Sequence, residues 1–205
     1  MKPAQKLPPP KSGRPLSFDR ELALNRAMLL FWRNGYETTS LSDLTAGLAV
    51  TAPSIYAAFG SKKELFLEAV QRYVGGPVTA DSIIDQAATA RLAAGNLLKA
   101  SAIGFTGLST PPGCLLASSA TNCSAAALDV QSELAGIRRK IEARLKKKID
   151  LDIAAGALSA QTDAKALAAH TMAVIQGMSS LARDGATRAK LMRIAATAMC
   201  AWPAS

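Results

Sequence analysis

The chain is predicted to be all-helical, and three observations predict it. Alanine and leucine are abundant while aromatic residues make up only 5% of the 205 positions. Apolar residues recur at intervals of three and four along most of the sequence, the period of a helix with one buried face. No run of alternating β-branched residues announces a strand. The length suits one helical domain of moderate size or a small head on a larger body, with a core that needs no disulfides to hold it.

The amino terminus, MKPAQKLPPPKSGRPL, is rich in proline and lysine. Residues 1–16 are expected to form a flexible basic arm, because they hold too little apolar surface to offset the entropy of ordering. The same lack of an apolar run argues against a signal peptide or anchor. Ser17 or Asp19 can cap the first helix, whose inner positions are Leu22, Ala23, Ala27, Leu30 and Phe31, with Asn34-Gly35 as its stop. Ser40 with Asp43 opens a second, short helix striped by Leu41, Leu44 and Leu48. Ala49 and Val50 fill a turn, and Thr51 caps a third helix before Ala52 and Pro53, where proline's missing N–H does no harm. On that helix Ile55 and Phe59 face inward, leaving Thr51, Ala52, Ser54, Tyr56, Ala57 and Ala58 for the outer side or the helix start. Gly60 ends it, and Ser61 with Glu64 forms another S-x-x-E capping box before a helix running to Tyr73. That helix carries Lys62 and Lys63 in its first turn, against the helix dipole, and a phosphate partner would account for both.

Gly75-Gly76-Pro77 marks a hinge, so the head is assigned to residues 17–73 and the body to residues 74–205. The body reads as a helix over about Asp81 to Phe105, a short one near Leu115 to Thr121 after Pro111-Pro112-Gly113, a long one over Ala126 to Leu158, and two at the carboxyl end. Between Ala100 and Leu128 no charged residue occurs, yet the prolines and polar residues there break any membrane-spanning helix. The last two helices carry apolar stripes through Val174, Met178 and Leu181 and through Ile194, Ala198 and Trp202. Such stripes either complete one subunit's core or join two subunits.

Two short helices, a tight turn and a third helix starting at once are the pattern of a helix-turn-helix, and the formal charge of +9 with a pI near 9.7 favours a polyanionic partner. From about Phe18 to Tyr73 the chain resembles the DNA-binding domain of TetR-type (tetracycline-repressor-like) transcriptional regulators. The likeness rests on Phe31, Gly35 and Tyr36, on the T-S-L-x-D-L string from Thr39 to Leu44, on P-S-I-Y-x-x-F from Pro53 to Phe59, and on G-S-K-x-E-L-F from Gly60 to Phe66. One departure is Ala49 in the turn, where the family usually has glycine, with a glycine at Gly47 instead. Weaker likenesses follow at Gly113-Cys114-Leu115-Leu116, at Gln176-Gly177 and at Leu181 to Ala186.

The resemblance implies an N-terminal three-helix helix-turn-helix head on a helical effector-binding and dimerisation body. It implies a homodimer whose heads bind double-stranded operator DNA, joined through Val174, Met178, Leu181, Ile194, Ala198 and Trp202. It also implies release of a repressor by a small hydrophobic effector, for which Phe66, Val70, Tyr73, Leu97, Phe105, Leu116, Ile137, Met172 and Gln176 are the candidate pocket walls. Candidate DNA contacts are Ser40, Thr51, Ala52, Pro53, Ser54, Tyr56, Ala57, Lys62 and Lys63. Tyr56 is assigned a phosphate, whereas Thr51 and Ser54 serve equally well as helix caps. Arg14, in Ser12-Gly13-Arg14-Pro15, either enters a narrow minor groove or belongs to an unengaged tail. The rival class is an effector-independent architectural or partitioning DNA-binding protein.

Other chemistry is poorly supported. Cys114, Cys123 and Cys200 lack metal-ligand spacing, so no metal or cofactor is expected and reduced thiols in a cytoplasmic protein are. Cys114 is a buried, inert thiol or else a sensor. His170, the only histidine, has no nucleophile partner, no glycine loop cradles a phosphate, and no enzymatic site is expected. The run Arg138, Arg139, Lys140, Arg144, Lys146, Lys147 and Lys148 is a solvated face, an anion site or an extra DNA contact.

Overall fold

Short capping side chains set most of the α-helix starts, those at Leu115 and Leu128 being the exceptions. The computed structural model describes residues 19–119 and 124–203. Asp19 accepts the Leu22 N–H at 3.0 Å and opens α1 (Arg20–Asn34). Ser40 and Asp43 form a reciprocal capping box on α2 (Leu41–Leu48), and Thr51 caps α3 (Ala52–Phe59). Only half of the expected box forms at α4 (Lys62–Val74): Ser61 accepts the Glu64 N–H, while the Glu64 carboxylate lies over Gly60, where an added Cβ would meet it at 2.2 Å. Gly60, at φ +80°, leaves that space open.

The single helix expected over Asp81 to Phe105 is two. Ala87 is extended and Thr89 caps a fresh start, which separates α5 (Ala80–Gln86) from α6 (Ala90–Gly104). Asp152, far along the chain, accepts the Ala90 N–H at 2.7 Å and secures that start. After α7 (Leu115–Ser118) and a 3-10 turn at Ala125–Ala127, α8 (Leu128–Ala154) runs the length of the body. It is shorter at both ends than the sequence pattern implied. Then come α9 (Ala164–Arg183) and α10 (Arg188–Ala198). Among the described residues there is no strand.

Three apolar clusters hold these helices. The first joins α1 to α4 around Phe31, Leu44, Ile55 and Phe66, and extends to Leu115, Val130 and Leu134, so the head rests on α7 and the start of α8. The second packs α5, α6 and α8 with Ala164, Ala168 and Trp202, and the third packs α6 with α9 and α10. This corrects part of the expected subunit interface. Met178 is 0% exposed within the single chain, among Leu98, Phe105, Ala182 and Leu191. Ala198 and Trp202 are also buried in their own subunit. Helical periodicity marks a buried face but not whose core buries it.

Candidate nucleic-acid interface and interior cavity

In the α2–α3 pair, Leu44, Leu48, Ile55 and Phe59 are buried, which turns the opposite face of α3 to solvent. Thr51, Pro53, Tyr56 and Ala57 are exposed there, and Ala52 and Ser54 are half-buried. Tyr56, 49% exposed, presents its phenol outward from a helix of small side chains. Thr51 and Ser54 hydroxyls lie 2.9 Å apart and share the cap. Ser40 is engaged as the cap of α2, its hydroxyl 2.7 Å from the Asp43 carboxylate. The turn between these helices depends on Ala49, at φ 56° and ψ 44°, a left-handed conformation that a Cβ disfavours by about 1–2 kcal/mol. Gly47 answers a different need. A Cβ there would come within 2.5 Å of Leu30 Cδ1, so the missing side chain lets α2 lie close on α1.

The two lysines of α4 already have partners within the chain. Lys62 Nζ donates to the Glu37 carbonyl at 3.2 Å and sits 4.7 Å from the centre of the Tyr36 ring, and burial lowers its pKa. Lys63, expected on phosphate, instead pairs with Asp129 at the start of α8. Arg14 lies outside the described residues.

That ion pair is one of several ties between head and body. The Tyr36 N–H donates to the Ser119 carbonyl at 2.8 Å, and the Ser124 N–H donates to the Glu37 carboxylate at 2.8 Å. The Ser124 hydroxyl and N–H hold the Glu37 carboxyl below the usual range. From the end of α9, Arg183 donates to the Trp32 carbonyl and to the Ser118 hydroxyl at 3.2 Å each, and to the Arg33 carbonyl at 3.3 Å. One guanidinium thus caps the last turn of α1. Only the location of Arg183 in a linking segment was legible beforehand.

A cavity of about 580 Å³ is lined by residues of both the head and the body. Tyr73, Leu97, Phe105, Leu116, Ile137, Met172 and Gln176 line it as expected. Phe66 and Val70 do not. Both are 0% exposed inside the head, where Phe66 packs edge-on against Phe31 at 5.0 Å, because they sit on the face of α4 turned to α1. Trp32, Ile83, Cys114, Arg138 and Ile175 also line the cavity and were not anticipated. Helical spacing within each segment shows burial, but the space enclosed arises from α1 and α4 to α9 together. Tyr73 donates to Cys114 Sγ at 3.4 Å, and burial pushes both the phenol and the thiol up, the reverse of a reactive thiolate.

The basic run of α8 does not form one cationic face. Arg144 pairs with Asp85 and with Asp81 at 3.7 Å, Lys146 with Asp150 at 2.7 Å, and Arg138 turns into the cavity. Among the described residues no cluster of His, Cys, Asp and Glu can hold a metal ion, and no helix is long and apolar enough to cross a membrane.

A head of this geometry on a helical body with an internal cavity defines a class of DNA-binding regulator, and comparison with known proteins gives its family. Residues 23–69 match the family model "Bacterial regulatory proteins, tetR family", and residues 89–198 match "Tetracyclin repressor-like, C-terminal domain". The chain belongs to the TetR family of transcriptional regulators, and it is a DNA-binding regulator rather than an enzyme. It is 35% identical over 193 residues, 93% of its length and 92% of the relative's, to the HTH-type transcriptional repressor ComR of Escherichia coli (strain K12). It is 37% identical, with a TM-score of 0.87, to the TetR-family regulator CifR, solved as a cysteine mutant with 26-base-pair double-strand operator DNA. That likeness covers 93% of this chain and 100% of the other. A TetR-family regulator from Rhodococcus sp. RHA1 is 34% identical with a TM-score of 0.63, over 90% of this chain and 100% of that one.

Proposed function

We propose that the protein is a homodimeric repressor, released from a near-palindromic operator when a small molecule occupies the interior cavity. The observation that carries this reading is that one cavity is walled by both parts of the molecule. Trp32 of α1 and Tyr73 of α4 belong to the head, and Ile137 of α8 and Met172 of α9 to the body. A ligand that binds better when these walls stand apart shifts the head against the body. In this reading the head spans residues 17–73 and the body 74–205, and the protein works in the cytoplasm, where the DNA is.

Thr51, Pro53, Tyr56 and Ala57 of α3 would face the major groove, with Tyr56 on a phosphate and Lys62 beside it. Paired heads must meet half-sites about one helical turn, roughly 34–36 Å, apart, so a modest rotation ends simultaneous engagement. For the dimer face, the half-buried Val174, Leu181 and Ile194 remain available, with the exposed Gly177 allowing close approach. Val174 and Ile194 flank an open groove with His170 and Thr197. The experiment is selection of bound duplexes from random DNA by the full-length protein, followed by anisotropy titration of the selected site. A palindromic consensus with half-sites one turn apart, bound by two chains, is expected. Selected DNA without symmetry, or release by none of a broad panel of apolar compounds, would favour the effector-independent architectural alternative.

A further inference from the structure

The cavity contains a cation that its apolar walls do not explain. Most of the lining is hydrocarbon, from Leu97, Phe105, Ile137 and Met172 among others. Arg138 stands among these residues, donating from Nη1 to the Leu116 carbonyl and taking part in no ion pair among the described residues. One bond leaves most of the five N–H donors of a guanidinium to other partners. The two neighbouring charges do not balance it. Lys140 adds positive charge to the lining, and Asp81 is within 3.7 Å of Arg144. Burial lowers the Arg138 pKa, as it does for a cation that gives up water without gaining a counter-ion. A second, independent observation is at Trp32: its indole N–H is buried, lacks a hydrogen-bond partner, and belongs to a residue of the same lining that is 5% exposed. A buried donor without an acceptor is uncommon and costly.

We infer that the effector is an anionic amphiphile, a carboxylic acid with an apolar tail, whose carboxylate takes the Arg138 guanidinium while its tail lies along the aliphatic and aromatic walls. This rests on the reading of the cavity as the effector site and gives that site a ligand class. A planar carboxylate presents two acceptor oxygens to the guanidinium fork, and the unpartnered Trp32 N–H shows that the same lining is short of acceptors. A neutral ligand of the same length would fill the tail region without bringing a charge to the guanidinium.

The test is calorimetric titration of the full-length protein, without DNA, with decanoate, 1-decanol and decylamine. The parent is compared with Arg138→Gln and Arg138→Lys, each first confirmed as folded by its thermal transition. Decanoate should bind roughly ten- to a hundredfold more tightly than 1-decanol, the range for a charge-assisted hydrogen bond in a partly buried site. Decylamine should bind most weakly. Arg138→Gln should bring decanoate to within about threefold of 1-decanol, and Arg138→Lys should restore part of the preference. Equal or tighter binding of 1-decanol by the parent, an undiminished preference in Arg138→Gln, or no saturable decanoate binding up to millimolar concentration would each overturn the inference. Because binding is read without DNA, the two readings fail separately. Decanoate that binds through Arg138 but leaves the operator complex intact counts against effector release, and a neutral compound that alone releases the operator counts against the acid.

Discussion

Two apolar residues on neighbouring helices, Met178 and Ile194, should fail in different ways when altered. Met178 is 0% exposed in the isolated chain and packs with Leu98, Phe105, Ala182 and Leu191. Truncating it to alanine removes a buried thioether from a core that can close only in part, at a cost of about 2–5 kcal/mol. For a chain of 205 residues each kcal/mol shifts the melting temperature by about 2–4 °C, so Met178→Ala should melt roughly 4–20 °C below the parent. Ile194 is only half-buried and borders the open groove with His170 and Val174. On the proposed dimer face, Ile194→Glu should therefore leave the subunit folded and separate the dimer, since it would set a charge against the partner. The assay is thermal unfolding at low and high micromolar concentration, because dimer association adds a concentration-dependent contribution, paired with sedimentation of each variant. Met178→Ala should stay dimeric wherever it is folded, and Ile194→Glu should sediment as a folded monomer. The reasoning fails if Met178→Ala melts within about 2 °C of the parent, or if Ile194→Glu remains dimeric.

Gly113 has φ +82°, and a Cβ there would lie 2.8 Å from the Ser179 carbonyl oxygen. Gly113→Ala combines backbone strain of about 1–3 kcal/mol with that contact, and should also loosen the neighbouring Cys114 N–H to Ser179 bond; a melting temperature equal to the parent's would count against it. On the proposed phosphate contact, Tyr56→Phe would remove one hydrogen bond but no charge, so operator affinity should fall roughly ten- to a hundredfold with an unchanged salt slope, while Lys62→Ala should flatten that slope by about one. Anisotropy titrations across a salt series check both, and identical salt slopes in the two variants would contradict the assignment. The Glu37, Asp43 and Asp129 carboxyls are all held below the usual range by hydrogen bonds, from Ser124, from Ser40 and from Lys63 respectively. Lowered folded pKa values mean stability that is present above the unfolded carboxyl range and lost as pH falls below about 4. Denaturant titrations from pH 7 down to 3 should show this decline, smaller in Ser124→Ala; a flat profile would refute it.

Much of what depended on a few adjacent residues was legible in the sequence, though the Thr89 cap that starts α6 was not. Ser40, Thr51 and Ser61 cap the helices they were expected to cap, Asp19 is the one of two candidates that caps the first, and Ile55 and Phe59 are buried opposite Tyr56, because caps and helix faces follow from neighbours within one or two turns. The odd pairing of Gly47 with Ala49 could be seen in the sequence, but not its cause, since Gly47 is small for the sake of Leu30, a residue of a different helix.

Tertiary structure alone decided everything that depends on which surfaces meet. The break before α6 is secured by Asp152 from 62 positions away. The stripe through Met178 serves its own subunit, Phe66 and Val70 serve the head instead of the cavity, and Lys63 is taken up by Asp129. Arg138 reads as one cation in a basic run, yet α8 brings it, half-buried, among apolar walls. A helical repeat specifies the angle of a side chain about its own axis, and the partner met at that angle is set by how whole helices pack.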